Sequence, residues 1–104
     1  MRQFVVYANL GSSRKLYPML LNIQSDLIAE TETRLAVPLF PLQRGRNPAI
    51  AKLSPVIAVN GADYTLMMPL MAGVATNQLG KAVADLSHER ATILGALDLL
   101  ISGI

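Results

Sequence analysis

Three groups of residues carry side chains that could bind or react. The run Gly11, Ser12, Ser13, Arg14, Lys15 places small residues ahead of two cations, the ingredients of a phosphate cradle. Its spacing fails, because no second glycine precedes Lys15 and no helical pattern follows, so it reads as a plain hairpin turn. His88 stands with Asp85 and Glu89, and an imidazole that titrates near neutrality suits proton transfer. No serine or cysteine nucleophile is spaced to use it, and a histidine in the first turn of a helix is more often solvated or locally bonded. The third group is apolar. Met19, Met67, Met68 and Met71 read as adaptable core or as contacts between copies, and the chain closes on Ile101, Ser102, Gly103 and Ile104. Chain ends are usually polar and frayed. An oily end is expected in a core, between two copies, or on a partner.

Other chemistry is excluded by composition. The chain has no cysteine and one histidine, which removes thiolate and paired-imidazole metal sites, and no cofactor is expected. Nine Lys and Arg against seven Asp and Glu leave a charge of +2, too little for a surface that tracks phosphates. At 104 residues the chain is expected to form a single domain over 1–104. It is 52% hydrophobic and 15% charged, with a mean hydropathy of +0.40, where an average soluble domain is roughly 25% charged. So small a domain cannot enclose all of that apolar surface, and a homodimer is expected. Leu66 to Ala75, the longest apolar run, contains Pro69 and Gly73 and falls short of the roughly 18 residues of a membrane span. With no signal-like segment at the start, the protein is expected in the cytoplasm.

The elements that position these groups follow from local pattern. Gln3 to Ala8, Tyr17 to Ile23 and Arg34 to Phe40 read as strands, the first two as a hairpin. Gln43 to Lys52, with Arg44, Gly45, Arg46, Asn47 and Pro48, reads as an exposed loop. Val56 to Val59 and Tyr64 to Met68 are strands joined through Asn60-Gly61, the dipeptide of a tight hairpin. Ser87 is expected to cap a helix carrying Ile93, Leu97, Leu100 and Ile101 on its apolar side and stopped by Gly103. About five short strands and one terminal helix predict an α+β domain with an antiparallel, strongly bent sheet.

Several stretches together resemble the CcdB family of gyrase-poisoning toxins. They are Gln3 to Tyr7; Gln24, Ser25 and Asp26 followed by Leu27 and Ile28; Arg34 to Leu39; Pro55 and Val56; Met67, Met68, Met71 and Ala72; Val83 to His88; and the terminal Gly103-Ile104. The resemblance implies a homodimer of SH3-like, barrel-like sheets, each with a C-terminal helix. It also implies a non-enzymatic toxin of a type II toxin–antitoxin pair. Such a toxin binds the A subunit of DNA gyrase and traps the complex holding cleaved DNA. A CcdA-like antitoxin folds on the toxin and neutralises it, and operator DNA is bound only together with that antitoxin.

Carried onto this chain, the gyrase-gripping residues are Leu27, Ile28, Asp98, Ile101, Ser102, Gly103 and Ile104. On residue type alone, Leu27, Ile28 and Ile101 read first as core. The antitoxin is expected on Asn9, Ser12, Arg14, Lys15, Arg44 and Arg46, and the contact between copies on Met68, Met71, Leu100 and Ile104. Ser102 stands where plasmid-type members carry tryptophan, and Asp98 where they carry asparagine. Loss of an aromatic anchor commonly costs about 2 to 4 kcal/mol, so a weaker poison is expected. The alternative on the same barrel is an mRNA-cutting toxin using Arg34 and His88, and a third reading is a folded chromosomal relative that no longer poisons gyrase.

Overall fold

In the computed structural model, residues 1–28, 32–42 and 52–103 are described. Among them run strands β1 (Val5–Asn9), β2 (Met19–Asn22), β3 (Thr33–Pro41), β4 (Val56–Val59), β5 (Ala62–Leu66), β6 (Ala72–Ala75) and β7 (Leu79–Asp85), then helix α1 (Arg90–Ser102). Short 3-10 turns occupy Asp26–Ile28, Met68–Leu70, Thr76–Gln78 and Ser87–Glu89. The antiparallel sheet has the order β4-β5-β3-β2-β1-β7, with β6 added to β3. The fold is α+β: a curled half-barrel with a C-terminal helix.

β3 organises the curl. One edge pairs with β2 from Leu39↔Met19 to Ala36↔Asn22; the other pairs with β6 over Thr33 to Ala36 and with β5 over Leu39 to Pro41. Val37 and Pro38 fall at the switch between β6 and β5. A proline inside a strand normally removes a ladder bond; here its missing N–H lies where that edge changes partner, and its carbonyl accepts Met67 N–H at 2.9 Å. β1 meets β7 through a register that slips on both sides of Tyr7, which bends the pair. At the far end of the strand order, the Asn60 amide donates to Val83 O at 3.4 Å, tying the β4–β5 turn to β7.

Both faces of the central strands are buried. Val6, Met19, Leu21, Val37 and Leu39 join Ile57, Leu66, Met68, Leu86, Ile93 and Ala96 in the larger core. The alternate residues Val5, Tyr7, Leu20 and Ala36 join Leu79 in a smaller one, with Val74 packed against it. Helix α1 docks on the larger core by fully burying Ile93 and nearly burying Ala96, with Leu94, Leu97 and Leu100 partly covered. Truncating a residue buried as Ile93 is costs about 2–5 kcal/mol, whereas a cap is worth about 1 kcal/mol. Packing therefore holds the helix to the sheet.

The secondary structure departs from the sequence reading most in strand number, in the end of β5 and in the start of the helix. Among the described residues the strands number seven, because β6 and β7 also form. Their sequences, AGVA and LGKAVAD, are rich in alanine and glycine, which carry little strand propensity. The strand expected to return as far as Met68 ends at Leu66, and Pro69 lies in the 3-10 turn that follows. Ser87 makes no side-chain cap of α1: a 3-10 turn comes first, and α1 begins after Glu89 without a side-chain cap bond. The Asn60-Gly61 hairpin forms as expected, with φ 51° and 85° supplying the two positive values of a tight turn.

Candidate partner-binding surface

The segment Gln24 to Ile28 is a turn built to hold apolar side chains outward. Asp26 Oδ1 accepts Gln3 N–H at 2.7 Å, and Ser25 Oγ accepts Leu27 N–H at 3.1 Å. The Gln24 amide donates to Ile28 O at 2.6 Å while its oxygen accepts Leu35 N–H at 3.2 Å. Each polar side chain of the motif thus fastens the backbone, and what remains on show is Leu27, 96% exposed, and Ile28, 57% exposed. The core assignment of these two by residue type is overturned, because the bonds that satisfy this turn leave its aliphatic side chains in solvent.

The end of α1 is a second exposed piece. Ile101 is 75% exposed, and Asp98, Ser102 and Gly103 are open beside it. Ser102 Oγ donates to the Asp98 carbonyl at 2.7 Å, one helical turn back. Gly103 takes φ 73° and donates its N–H to Leu99 O at 3.0 Å, closing the helix in the left-handed conformation that glycine adopts without penalty. Ile101 was also a core candidate by type and is not core here. Ile104 lies outside the described residues.

The two pieces are anchored at opposite ends of the helix. Asp26 holds Gln3, and the next residue, Phe4, lies under the guanidinium of Arg90 in the first turn of α1, 5.4 Å from the ring centroid. Asp98 to Gly103 occupy the other end. A groove of about 450 Å³ runs between α1 and the segment at Lys52 and Pro55, lined on the helix side by Ala91, Gly95 and Leu99. The sequence reading missed it; the spacing of small residues Ala91 and Gly95 four apart was its available signal.

The turn after β1 is ordered by Asn9, which is only 6% exposed. Its amide donates to Ser13 Oγ at 3.1 Å and Tyr17 O at 2.8 Å, and its oxygen accepts Gly11 N–H at 2.8 Å. Asn9 therefore shapes the loop from within, while Ser12, Arg14 and Lys15 are exposed. Arg14 turns back, its Nη1 donating to Gly11 O at 3.0 Å. No helix follows, in keeping with a hairpin turn. Arg44 and Arg46 lie outside the described residues. Of the residues expected between copies, Met68 is wholly enclosed in its own subunit's larger core, and Met71 and Leu100 are partly buried against that core.

The two residues of a ribonuclease reading differ in burial. Arg34 is 7% exposed within β3, and its Nη1 donates to Thr33 O at 3.0 Å. His88 is exposed just before α1. Asp85 is held below the ordinary 3.8, first by the Ser87 backbone N–H, then by the Ser87 hydroxyl, with smaller help from the Arg2 and His88 charges against a desolvation that raises it. It also pairs with Arg2 at 3.3 Å in an exposed contact. Among the described residues no group of three or more His, Cys, Asp or Glu gathers as a metal site, and no helix is long and apolar enough to cross a membrane.

Comparison with protein families gives a match over nearly the whole chain: the sequence model described as CcdB protein covers residues 3–103.

Proposed function

Because the chain belongs to the CcdB family, a family of toxins from toxin–antitoxin pairs, we propose that it binds the A subunit of DNA gyrase and traps the complex holding cleaved DNA. It does so as a poison without catalysis of its own. A ligand shifts a conformational equilibrium only as far as it prefers one state, so preference for the open, DNA-bound gyrase suffices.

The observation that carries this reading is the exposure of Leu27, Ile28 and Ile101, large aliphatic side chains held in solvent by a hydrogen-bonded turn and a helix tip. The two pieces lie toward opposite ends of α1, and a partner that covers both gains the burial of their apolar surface. The gripping surface comprises Leu27, Ile28, Asp98, Ile101, Ser102, Gly103 and Ile104, presented twice by a homodimer in which 1–104 acts as one toxin domain. The dimer contact uses Met71, Leu100 and Ile104. A CcdA-like antitoxin docks on Ser12, Arg14, Lys15, Arg44 and Arg46, with Asn9 shaping the loop, and the pair together binds operator DNA. The site of action is the cytoplasm, where gyrase and its DNA reside.

Deleting Ser102 to Ile104 tests the proposal. Growth inhibition and gyrase-dependent cleavage of supercoiled DNA are expected to disappear while circular dichroism stays unchanged, and Ile101→Asp, which spares the dimer contact, is expected to abolish both with native mass unchanged as well. Persistent killing by the truncated protein would refute the patch. Cleavage of RNA by the purified protein would favour the ribonuclease class, and a folded wild type inert in both assays would identify a relative that has lost poisoning.

A further inference from the structure

We infer that the N-terminal hook of residues 2–4 is the positioning element of the Leu27–Ile28 turn and couples that turn to the base of α1. The hook is the meeting point of three elements. Phe4 N–H donates to Asn22 O at 2.7 Å, Leu86 N–H donates to Phe4 O at 2.7 Å, and Gln3 N–H donates to Asp26 Oδ1 at 2.7 Å. The Gln3 side-chain amide adds a bond to Ile23 O at 3.1 Å. A second path runs through Asn22, which is almost fully buried: its amide donates to Arg2 O at 3.0 Å, and its oxygen accepts Gln24 N–H at 3.2 Å.

Phe4 is the keystone. Its φ of 64° is an outlier for a bulky L-residue, and such conformations persist only where the surroundings over-determine them. The reversal at this residue sends the Gln3 amide toward Asp26, while the Phe4 amide and carbonyl engage β2 and Leu86. The ring, 3% exposed, is pinned in the core beneath Arg90. A change at the base of α1 is therefore transmitted to the turn through one rigid dipeptide, Gln3-Phe4. Asp26 is a positioning residue in this scheme, since it acts on Leu27 and Ile28 through the backbone it holds. The relevance to partner binding rests on the function proposed above; the positioning itself does not.

Amide exchange of the free protein, followed by NMR for wild type, Asp26→Ala, Asp26→Asn and Arg90→Leu, tests this. Asp26→Ala is expected to speed exchange at Leu27 and Ile28 by about fivefold or more, with Leu21 and Val37 in the core unchanged. Asp26→Asn, which keeps an oxygen acceptor for the Gln3 N–H, restores the wild-type rates. Arg90→Leu, a substitution at an exposed side chain outside the turn, also speeds exchange at Leu27 and Ile28. Unchanged rates there in Asp26→Ala overturn the positioning role, and unchanged rates in Arg90→Leu overturn the coupling to α1. Should Asp26→Ala speed every amide equally, the Asp26→Asn and Arg90→Leu results decide. Titration of wild type with the gyrase A subunit reports separately: no binding defeats the proposed function and leaves the exchange result standing.

Discussion

Asp85 and Ser87 are locked together across the junction of β7 and α1: the aspartate Oδ1 accepts the serine backbone N–H at 2.8 Å. The carboxylate, rather than the serine hydroxyl, thus organises the entry to the helix, and its pKa is lowered as a consequence. A carboxyl depressed on folding stabilises the protein above its unfolded pKa, and that contribution is lost as pH falls through the folded value. The melting-temperature advantage of wild type over Asp85→Asn is therefore expected to be full at neutral pH, still present at the ordinary carboxyl value of 3.8, and lost only as the pH falls through the lower folded value. Calorimetry of both proteins across that range checks it; a constant difference would mean that the carboxylate charge is irrelevant.

Gly95 and Gly61 predict opposite outcomes for one substitution. Among the described residues, and apart from adjacent residues and the helix's own backbone, neither has a heavy atom within 4 Å of an added Cβ, so sterics do not separate them. Gly95 lies inside α1, where alanine gains roughly 0.5–1 kcal/mol. Gly61 holds φ 85° in the β4–β5 turn, where an L-residue costs roughly 1–2 kcal/mol. Urea unfolding should place Gly95→Ala above wild type and Gly61→Ala below it.

Met68 was a candidate for contact between copies, and its complete burial in the subunit core makes it a folding residue instead. Met68→Ala is expected to lower unfolding stability by about 2–5 kcal/mol. Sedimentation of the variant under native conditions should show the wild-type mass. Loss of association with stability intact would return Met68 to the interface.

Local chemistry was enough to read much of this molecule. Valine, tyrosine and leucine runs mark β1 to β3 by side-chain shape, Asn60-Gly61 marks a hairpin by its tolerance of positive φ, and Gly103 marks the end of α1 for the same reason. Order and identity of the Gln24 to Ile28, Val83 to His88 and Gly103-Ile104 blocks were sufficient to suggest the family, and the match over 3–103 agrees. β6 and β7 had no such local signature. They are strands because long-range ladders with β3 and β1 satisfy their backbone groups, and alanine and glycine do not announce that.

What tertiary structure alone decided is which oily residues go in and which stay out. Met68 and Leu27 are both large and apolar, and composition treats them alike. One is enclosed because Met68 meets the larger core beneath α1; the other stands in solvent because Gln24, Ser25 and Asp26 use their hydrogen bonds to fix a turn that carries its side chain outward. Hydrophobicity is a property of a residue, but burial is a property of the surface it meets, and that surface is assembled from strands far apart in the chain.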